Sequence, residues 1–377
     1  MRVAFDARHL QTVARHRGIG RYARNLLAAW QAAPPEGIEF TLLRLRNFPP
    51  PDAQPLPPHR DLPTWRVPRP ELSMLVLDAP LLAIELFDRC DVYHSLQLSL
   101  PAARRFRAVV TIHDLAPLRW PEHYLRLPYA ALGHRIQYAL AARAEAVIAP
   151  SNATRVDVVE RLGVPADRVH VIPEAVDPAF VPPPREVALR TVAERLRIAA
   201  PYVLYVGQFD PRKNMPALAA AFRAAAGRHP DVRLVVAGDL GKLATHLWRA
   251  LDAEGAPRER VVTVGYIDDA LLAALYAGAE ALVHPALLEG FGLTPLEAMA
   301  AGTPVVAFDA PGVSEIVGDA GVLVPANDAA ALAEALIAVL GDPARRERLA
   351  KAGRDRARLF SWSDAAARTA AVYRAIA

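Results

Sequence analysis

The sequence predicts an α/β protein built from two parallel-sheet domains. Short apolar runs alternate with helical patterns in both halves of the chain, which favours strand–helix–strand crossovers. The chain has 377 residues and 53% hydrophobic residues, enough for two domains that each bury a core. A stretch with four prolines, from Glu174 to Pro184, separates the two halves and reads as an interdomain linker.

Composition limits the class of protein. No apolar run approaches the length of a membrane span, and Met1–Asp6 enters a strand pattern directly, without a signal-peptide pattern. The single cysteine, Cys90, excludes an internal disulfide framework and fits a reducing compartment. We expect Cys90 to be a small buried hydrophobe.

The net charge of +4 resides in residues 1–180, where 22 arginines face 18 acidic residues. This excess favours an anionic membrane surface or an anionic acceptor, but an ordinary solvated surface explains it equally well. No basic-aromatic array suggests binding of nucleic acid.

The first half opens with a strand at Arg2–Asp6, a glycine loop containing Gly18 and Gly20, and a helical pattern from Arg21. This order is typical of a nucleotide-type crossover, although a lone Gly-x-Gly is equally consistent with a tight turn. A second strand follows at Phe40–Leu45. The proline-rich residues 49–70 predict an extended loop, and Leu72–Leu86 predicts a helix.

Two later strands, Asp91–Ser95 and Ala108–Asp114, end in polar groups that include His94 and His113. Ligands of open parallel sheets bind beyond the carboxyl ends of the strands, so each histidine either contacts a sugar hydroxyl or is satisfied by neighbouring backbone. The helical pattern at Tyr129–Ala144 fits a membrane surface or packing on the sheet. Further strands are predicted at Ala146–Ser151 and Val169–Pro173.

The second half begins with a helix at Arg185–Arg197 and a strand at Pro201–Gly207, followed by a loop that contains Lys213. Lysine is rare in this chain: only three of the 44 basic residues are lysines. A compact charge just past a strand end suits a phosphate oxygen, although a surface turn remains an alternative. Further strands are predicted at Arg233–Gly238, Val261–Ile267, Ala281–His284, Pro304–Phe308 and Gly321–Pro325, and helices at Leu271–Ala277, Ala329–Leu340 and after Ser361 or Ser363.

The segment from Glu289 to Thr303 is the most informative stretch. Thr294 followed by Pro295 and Glu297 predicts a helix start with a capping box. The preceding glycines allow the backbone to approach a ligand and direct its amides at a phosphate. The two carboxylates either serve that ligand, or Glu297 is only the capping partner and Glu289 an exposed loop charge.

This segment, from Glu289-Gly290-Phe291-Gly292-Leu293 to Gly302-Thr303-Pro304-Val305-Val306, resembles the donor-site signature of retaining glycosyltransferases of family 4. The resemblance spans almost the whole chain. It implies a GT-B fold with two Rossmann-like domains facing a central cleft. We expect an acceptor-side domain at 1–175, a nucleotide-sugar-binding domain at 176–360, and a C-terminal helix at 361–377 that returns to the first domain.

The resemblance also implies residue roles. It assigns Glu289 and His113 to the donor sugar as the catalytic pair, Glu297 to the ribose, and Lys213 to the diphosphate. The remaining implied donor contacts are Gly18, Gly20, Gln208, Arg212, Tyr266, Ile267, Gly290, Phe291, Gly292 and Leu293. The chain departs from the family at Gln208, where an arginine is common and Arg212 is the candidate substitute, and at Glu174-Ala175, where Asn-Gly is usual.

The implied reaction transfers a hexose from a nucleotide sugar with retention at the anomeric carbon. No Asp-x-Asp occurs in the sequence, so we expect neither a metal nor another cofactor. The sequences Gly-Ile-Gly-Arg-Tyr and Ile-His-Asp-Leu resemble mannosyltransferases of polysaccharide and lipopolysaccharide assembly, which favours GDP-mannose; UDP-glucose and other nucleotide hexoses stay open. We expect a glycan or lipid-linked sugar as acceptor and a cytoplasmic enzyme, with contact to the inner membrane face left open. A nucleotide-sugar epimerase and a non-catalytic nucleotide-sugar-binding subunit are the alternatives.

Overall fold

The structure is a computed structural model that describes residues 1–16, 18–46, 57–64, 86, 89–96, 98, 100–102 and 104–377. The chain divides into two compact units. The first comprises residues 1–174 and 361–377, and the second comprises residues 175–360. The helix predicted at Leu72–Leu86 lies outside the described residues except for its last residue.

The first unit contains a seven-stranded parallel sheet in the order β3-β2-β1-β4-β5-β6-β7. Its strands are β1 (Arg2–Asp6), β2 (Glu39–Leu45), β3 (His59–Thr64), β4 (Val92–Ser95), β5 (Arg107–Thr111), β6 (Ala146–Ala149) and β7 (Val169–Val171). The described part of the predicted proline-rich loop is therefore a strand, and the prediction of an extended loop is wrong there. β3 lies at the sheet edge, where Pro63 is tolerated because an edge strand has an unpaired side.

Within the described ranges, the α-helices of this unit up to the linker are α1 (Gly18–Ala32), α2 (Ala116–Arg119), α3 (Pro121–Tyr124), α4 (Pro128–Ala141) and α5 (Asn152–Leu162). α5 begins as predicted, because the Ser151 side chain accepts a hydrogen bond from the Thr154 amide at 3.1 Å. Cys90 is buried and unpaired among the described residues, as expected.

The second unit contains a six-stranded parallel sheet in the order β10-β9-β8-β11-β12-β13. Its strands are β8 (Tyr202–Val206), β9 (Arg233–Ala237), β10 (Val261–Val264), β11 (Ala281–His284), β12 (Val305–Asp309) and β13 (Val322–Pro325). Strands buried on both faces read as near-continuous apolar runs, and Val203, Leu204 and Tyr205 are fully buried.

Helices cover both faces of this second sheet, as expected when every parallel connection needs a crossover. They are α6 (Arg185–Leu196), α7 (Met215–Arg228), α8 (Leu240–Glu254), α9 (Asp269–Gly278), α10 (Leu293–Ala301), α11 (Val313–Val317), α12 (Ala329–Gly341) and α13 (Pro343–Ala357).

The last helix, α14 (Trp362–Ile376), belongs to the first unit. Ser361 caps it by accepting from the Asp364 amide at 3.1 Å, and the Trp30 indole donates to the Ala366 carbonyl at 3.0 Å. Trp362 is buried with its ring edge-on to Tyr22 at 5.7 Å between centroids. The C-terminal helix therefore packs into the first unit and contributes buried side chains to it.

Both sheets reverse their strand order at one point. In the second unit this point lies between β8 and β11, and in the first between β1 and β4. Open α/β sheets bind ligands at the carboxyl ends of the strands beside such a switch point, so these two places are where functional side chains should be sought.

Candidate active site

Two loops leave the switch point of the second unit. One follows β8 and contains Lys213, and the other follows β11 and contains Glu289. A hydrogen bond of 2.8 Å from the Leu287 amide to the Arg212 carbonyl joins the two loops. The sheet order thus brings together two segments that lie far apart in the sequence.

Lys213 and Glu289 form an ion pair in which the lysine ammonium group donates to Oε1 of the carboxylate. Lys213 closes a short 3-10 turn, Pro211–Lys213, which Asp210 caps by accepting from the Arg212 amide at 3.1 Å. The Arg212 guanidinium lies 3.9 Å from the second oxygen of Glu289. Two cations therefore converge on one buried carboxylate.

The electrostatics of Glu289 follow from this pairing. Burial alone would raise the pKa of Glu289, but the charge on Lys213, the neighbouring His284 and the charge on Arg212 outweigh it. They hold the pKa of Glu289 well below its usual range. Glu289 is therefore ionised at neutral pH, and the interpretation of Glu289 as an exposed loop charge is wrong because it is 9% exposed.

His284 belongs to the same cluster and was missed by sequence reasoning, which treated it only as the end of a strand. It is 1% exposed, and its Nε2 lies 3.0 Å from Oε1 of Glu289. Burial lowers the pKa of His284, Glu289 opposes that effect, and Lys213 and Arg212 reinforce it. His284 is therefore a neutral ring at pH 7. The signal available in the sequence was a histidine ending an otherwise apolar strand.

The glycine loop after Glu289 is shaped by close backbone packing. The Glu289 amide donates to the Pro311 carbonyl at 3.0 Å. Gly312 has a φ of +80°, and a Cβ atom there would lie 2.0 Å from the Glu289 carbonyl oxygen. Gly290 and Phe291 are buried in this loop. A side chain at Gly312 would therefore push the loop away from the Glu289 backbone.

The helix after the loop begins earlier than predicted. α10 starts at Leu293 with Gly292 as its N-cap residue, at a φ of +107° and without a side-chain cap. The prediction of Thr294 as the N-cap is therefore wrong, because the left-handed conformation of Gly292 already turns the chain into the helix. The first amides of an α-helix have no intrahelical acceptor, and a helix N-terminus favours an anion.

Glu297 is not a capping-box partner. It is 3% exposed, and its Oε2 accepts a hydrogen bond from the Tyr276 hydroxyl at 2.9 Å. Tyr276 lies on α9, and its carbonyl accepts from the Thr303 hydroxyl at 2.6 Å. A side-chain bond to a neighbouring helix thus replaces the local bond expected from the sequence.

The other candidate donor contacts of this unit differ in exposure. Gln208 is exposed, Tyr266 is 70% exposed, and Ile267 packs partly against the core. Arg212 is held by Asp210, whose Oδ2 lies 3.3 Å from its Nε. The structure brings Arg212, Lys213 and Glu289 together with the glycine loop.

In the first unit His113 follows β5 and lies next to Glu174. Its Nδ1 is 3.2 Å from Oε1 of Glu174, which is 4% exposed. The ring also meets the edge of Tyr22 at 5.0 Å between centroids. Glu174 was predicted as the start of the linker, but its side chain is buried beside the candidate catalytic histidine.

His94 has a structural role. It is fully buried, its Nδ1 lies 2.6 Å from the Tyr373 hydroxyl, and its Nε2 lies 2.8 Å from the Thr111 hydroxyl. Burial lowers the pKa of His94 to about 3. Both ring nitrogens are used, so the hypothesis that His94 contacts a ligand is wrong.

Gly18 and Gly20 lie inside helix α1 rather than in a loop before it, so the predicted glycine loop is wrong at these positions. A Cβ at Gly20 would lie 2.3 Å from the Ala14 carbonyl oxygen, whereas one at Gly18 would meet nothing within 4 Å. Gly20 is therefore needed for the close approach of the preceding 3-10 turn, Val13–His16.

At the switch point of the first unit, Asp6 and Arg8 form a buried bidentate pair with two N–O distances of 2.7 Å. Burial would raise the pKa of Asp6, but the charge and hydrogen bonds of Arg8 outweigh it and lower the pKa. Sequence reasoning did not single out this pair, whose only signal is an Asp at a strand end two residues before an Arg.

No helix among the described residues combines the length and apolar character needed to cross a bilayer. No group of three or more His, Cys, Asp or Glu side chains in the described ranges is arranged to hold a metal ion.

Comparison with known proteins agrees with this geometry. Residues 16–180 match the profile of Glycosyltransferase Family 4, and residues 193–356 match the profile of Glycosyl transferases group 1. The chain is 30% identical over 287 residues to O-antigen chain mannosyltransferase B of Escherichia coli, covering 75% of this chain and 74% of that one.

Two further relatives are similar over different lengths. Phosphatidyl-myo-inositol mannosyltransferase of Mycobacterium leprae is 38% identical over 181 residues, which is 46% of each chain. The structure of sucrose-phosphate synthase from Thermosynechococcus elongatus superposes with a TM-score of 0.76 at 25% identity, covering 99% of this chain and 98% of that one. The chain therefore belongs to glycosyltransferase family 4, and it is a glycosyltransferase with the GT-B fold.

Proposed function

We propose that this protein transfers a hexose, with mannose from GDP-mannose favoured, to a glycan or lipid-linked acceptor in cell-surface polysaccharide synthesis. The observation that carries the proposal is the convergence of Lys213 and Arg212 on Glu289 at a switch point, beside a glycine loop that enters α10. The names of two mannosyltransferase relatives support mannose as the sugar.

The donor occupies the carboxyl edge of the second sheet in this proposal. Lys213 and the amides from Gly290 to Leu293 bind the diphosphate, and Arg212 adds positive charge. Glu289 lies at the hexose, and Glu297 binds the ribose hydroxyls. Gln208, Tyr266 and Ile267 border the nucleotide, and His113 binds a hydroxyl of the sugar.

The chemical step breaks the bond between the anomeric carbon and the diphosphate oxygen. The acceptor hydroxyl attacks the same face, which retains the anomeric configuration, and its proton passes to the departing diphosphate. Negative charge develops on that diphosphate, so fixed cations and amides lower the barrier most there. We propose that Lys213, Arg212 and the glycine-loop amides supply this stabilisation without a metal.

The acceptor is proposed to lie at a membrane surface. Helix α4 buries Tyr138 but exposes Leu132 and Ile136 by 50% and 37%. Leu127, just before the helix, is 51% exposed, and Arg135 is exposed on the same helix. Apolar side chains interleaved with a cation fit an anionic lipid surface, which supports peripheral contact of a cytoplasmic enzyme with the inner face of the membrane.

A thermal-shift panel of GDP, UDP, ADP and dTDP and their hexose derivatives tests the donor. A ligand at about a hundred times its Kd stabilises the folded protein by roughly 2.7 kcal/mol. A selective shift with GDP and GDP-mannose, followed by transfer of labelled mannose to a lipid-linked glycan, is the expected result. A shift with UDP-glucose alone would mean that UDP-glucose, and not GDP-mannose, is the donor. Hydrolysis or isomerisation of the donor without transfer would overturn the proposed reaction.

A further inference from the structure

Glu174 and His113 form a pair that joins the loop after β5 to the residue at which the first unit passes into the linker. The carboxylate oxygen Oε1 lies 3.2 Å from Nδ1 of the ring. Glu174 is 4% exposed, whereas the His113 side chain is 25% exposed and borders solvent. The carboxylate is thus the buried member of the pair, and the histidine side chain is the partly exposed one.

The histidine is held from three sides. Tyr22 packs its ring edge against the imidazole at 5.0 Å, and the Tyr22 hydroxyl lies 3.4 Å from the Thr111 hydroxyl. The Thr154 hydroxyl donates to the His113 carbonyl at 3.3 Å. These contacts fix the ring and its backbone, but only Glu174 contacts a ring nitrogen among the described residues.

The second ring nitrogen, Nε2, is buried and has no hydrogen-bond partner among the described residues. A buried polar atom without a partner is costly, so a ligand group that bonds to it gains more than one that bonds in water. The nitrogen that Glu174 does not contact is therefore the one available to a substrate.

We propose that Glu174 is a positioning residue that keeps the ring proton of His113 on Nδ1 and thereby presents Nε2 as an acceptor to a sugar hydroxyl. A carboxylate only accepts hydrogen bonds, so the nitrogen that faces it must carry the proton, and the neutral ring then has its lone pair on Nε2. An amide at this position can donate or accept and imposes no such choice. This inference rests on the proposed function, because it takes the ligand to be the hexose.

The kinetic test compares Glu174→Gln, His113→Ala and the double variant, with GDP-mannose and UDP-glucose as donors. Glu174→Gln keeps the shape of the side chain but allows its amide to donate to Nδ1. In Glu174→Gln we expect kcat/KM to fall about tenfold, as for the loss of one well-made hydrogen bond. In the double variant we expect kcat/KM to be no lower than in His113→Ala alone. An equal loss in both backgrounds would overturn the inference, because Glu174 would then act independently of His113.

The second test does not depend on activity. In protein carrying ¹⁵N-labelled histidine, the His113 signals are identified by their absence in His113→Ala. We expect a lone-pair nitrogen at Nε2 in the wild type and a mixture of tautomers in Glu174→Gln. A proton on Nε2 in the neutral wild-type ring would overturn the inference. This measurement also holds if Glu174→Gln folds poorly, because the wild type alone decides it.

Glu160→Gln is the matched control, since Glu160 is exposed on α5 and outside the proposed machinery. It should change neither the kinetics nor the tautomer. The proposed tautomer without turnover of either donor would contradict the proposed function and leave the positioning role intact. Turnover together with an unchanged tautomer in Glu174→Gln would support the proposed function and contradict the positioning role.

Discussion

Lys213 and Glu289 are ion-paired although 76 positions separate them in the chain. Each follows one of the two strands that flank the switch point, so the sheet order alone brings them together. Lysine has three N–H donors, and Lys213 can therefore hold Glu289 and a phosphate oxygen at once. If Lys213 binds the diphosphate as proposed, this pair holds the lysine in place beforehand, which reduces the entropy lost on binding.

Replacing Lys213 by methionine should weaken binding of GDP or UDP by about 10- to 100-fold, the range for one hydrogen bond to a charged group. Isothermal titration calorimetry measures this directly. Lys351→Met is the matched control, because Lys351 is exposed on α13. Guanosine or uridine, which lack phosphates, should bind both variants equally. A similar loss for the nucleoside would mean that Lys213 supports the fold of the loop instead.

The strands were predictable because parallel strands buried on both faces require apolar runs, and β8 is such a run. Helix starts were less predictable. Thr294 has the residue type of an N-cap, but Gly292 takes that position because its backbone packs against Gly312, where a Cβ at Gly292 would lie 3.3 Å from the carbonyl oxygen. That contact joins residues 20 positions apart, and local propensity contains no information about it.

In the candidate site, too, residue types were predictable from the sequence, but contacts between distant residues were not. Lys213 and Glu289 were identified one at a time, from residue type and resemblance, and their pairing required the order of β8 and β11. His284 and Glu174 were missed because each matters only through a partner distant in sequence. His94 was overestimated, since a histidine at a strand end looks the same in sequence whether or not its nitrogens are satisfied by Thr111 and Tyr373.

The two glycines of α1 should respond oppositely to alanine. A Cβ at Gly20 would meet the Ala14 carbonyl, so Gly20→Ala should destabilise the protein by about 1–3 kcal/mol through forced backbone shifts. Gly18 has open space around its Cα, so Gly18→Ala should be neutral or stabilise by up to about 1 kcal/mol. Thermal unfolding separates the two. Equal destabilisation would show that the 3-10 turn before α1 does not pack as described.

Glu297 should discriminate ribose from its deoxygenated analogues. If its carboxylate accepts from the ribose hydroxyls, the wild type should bind GDP about tenfold more tightly than 2′,3′-dideoxy-GDP, and Glu297→Gln should lose most of that preference. Tyr276→Phe removes the hydroxyl that donates to Glu297 and should have an intermediate effect. Calorimetry with the two nucleotides measures the preference. An undiminished preference in Glu297→Gln would exclude the ribose role.

The exposed apolar residues of α4 should determine membrane binding. The double variant Leu132→Gln/Ile136→Gln should lose most of its sedimentation with vesicles rich in phosphatidylglycerol, because about 0.8 kcal/mol is lost per buried CH₂. Val187→Gln is the control, since Val187 is 38% exposed on α6 of the other unit. Vesicles of phosphatidylcholine alone should bind the wild type weakly. Equal binding by the double variant and the wild type would show that another surface meets the membrane.

His94 should make stability depend on pH. Burial lowers its pKa to about 3 in the folded protein, against the ordinary 6.5 of a histidine, so below pH 6.5 the unfolded chain takes up a proton that the folded protein does not. The contribution is complete above pH 6.5 and is lost as the pH falls, by about 3 kcal/mol at pH 4, at roughly 1.36 kcal/mol per pKa unit. In His94→Gln the loss of stability between pH 7 and pH 4, measured by urea unfolding, should be smaller by about this amount. His123→Gln, at an exposed position, should keep the wild-type slope. A wild-type slope in His94→Gln would mean that His94 is protonated in the folded protein, which its bonds to Thr111 and Tyr373 would then have to accommodate.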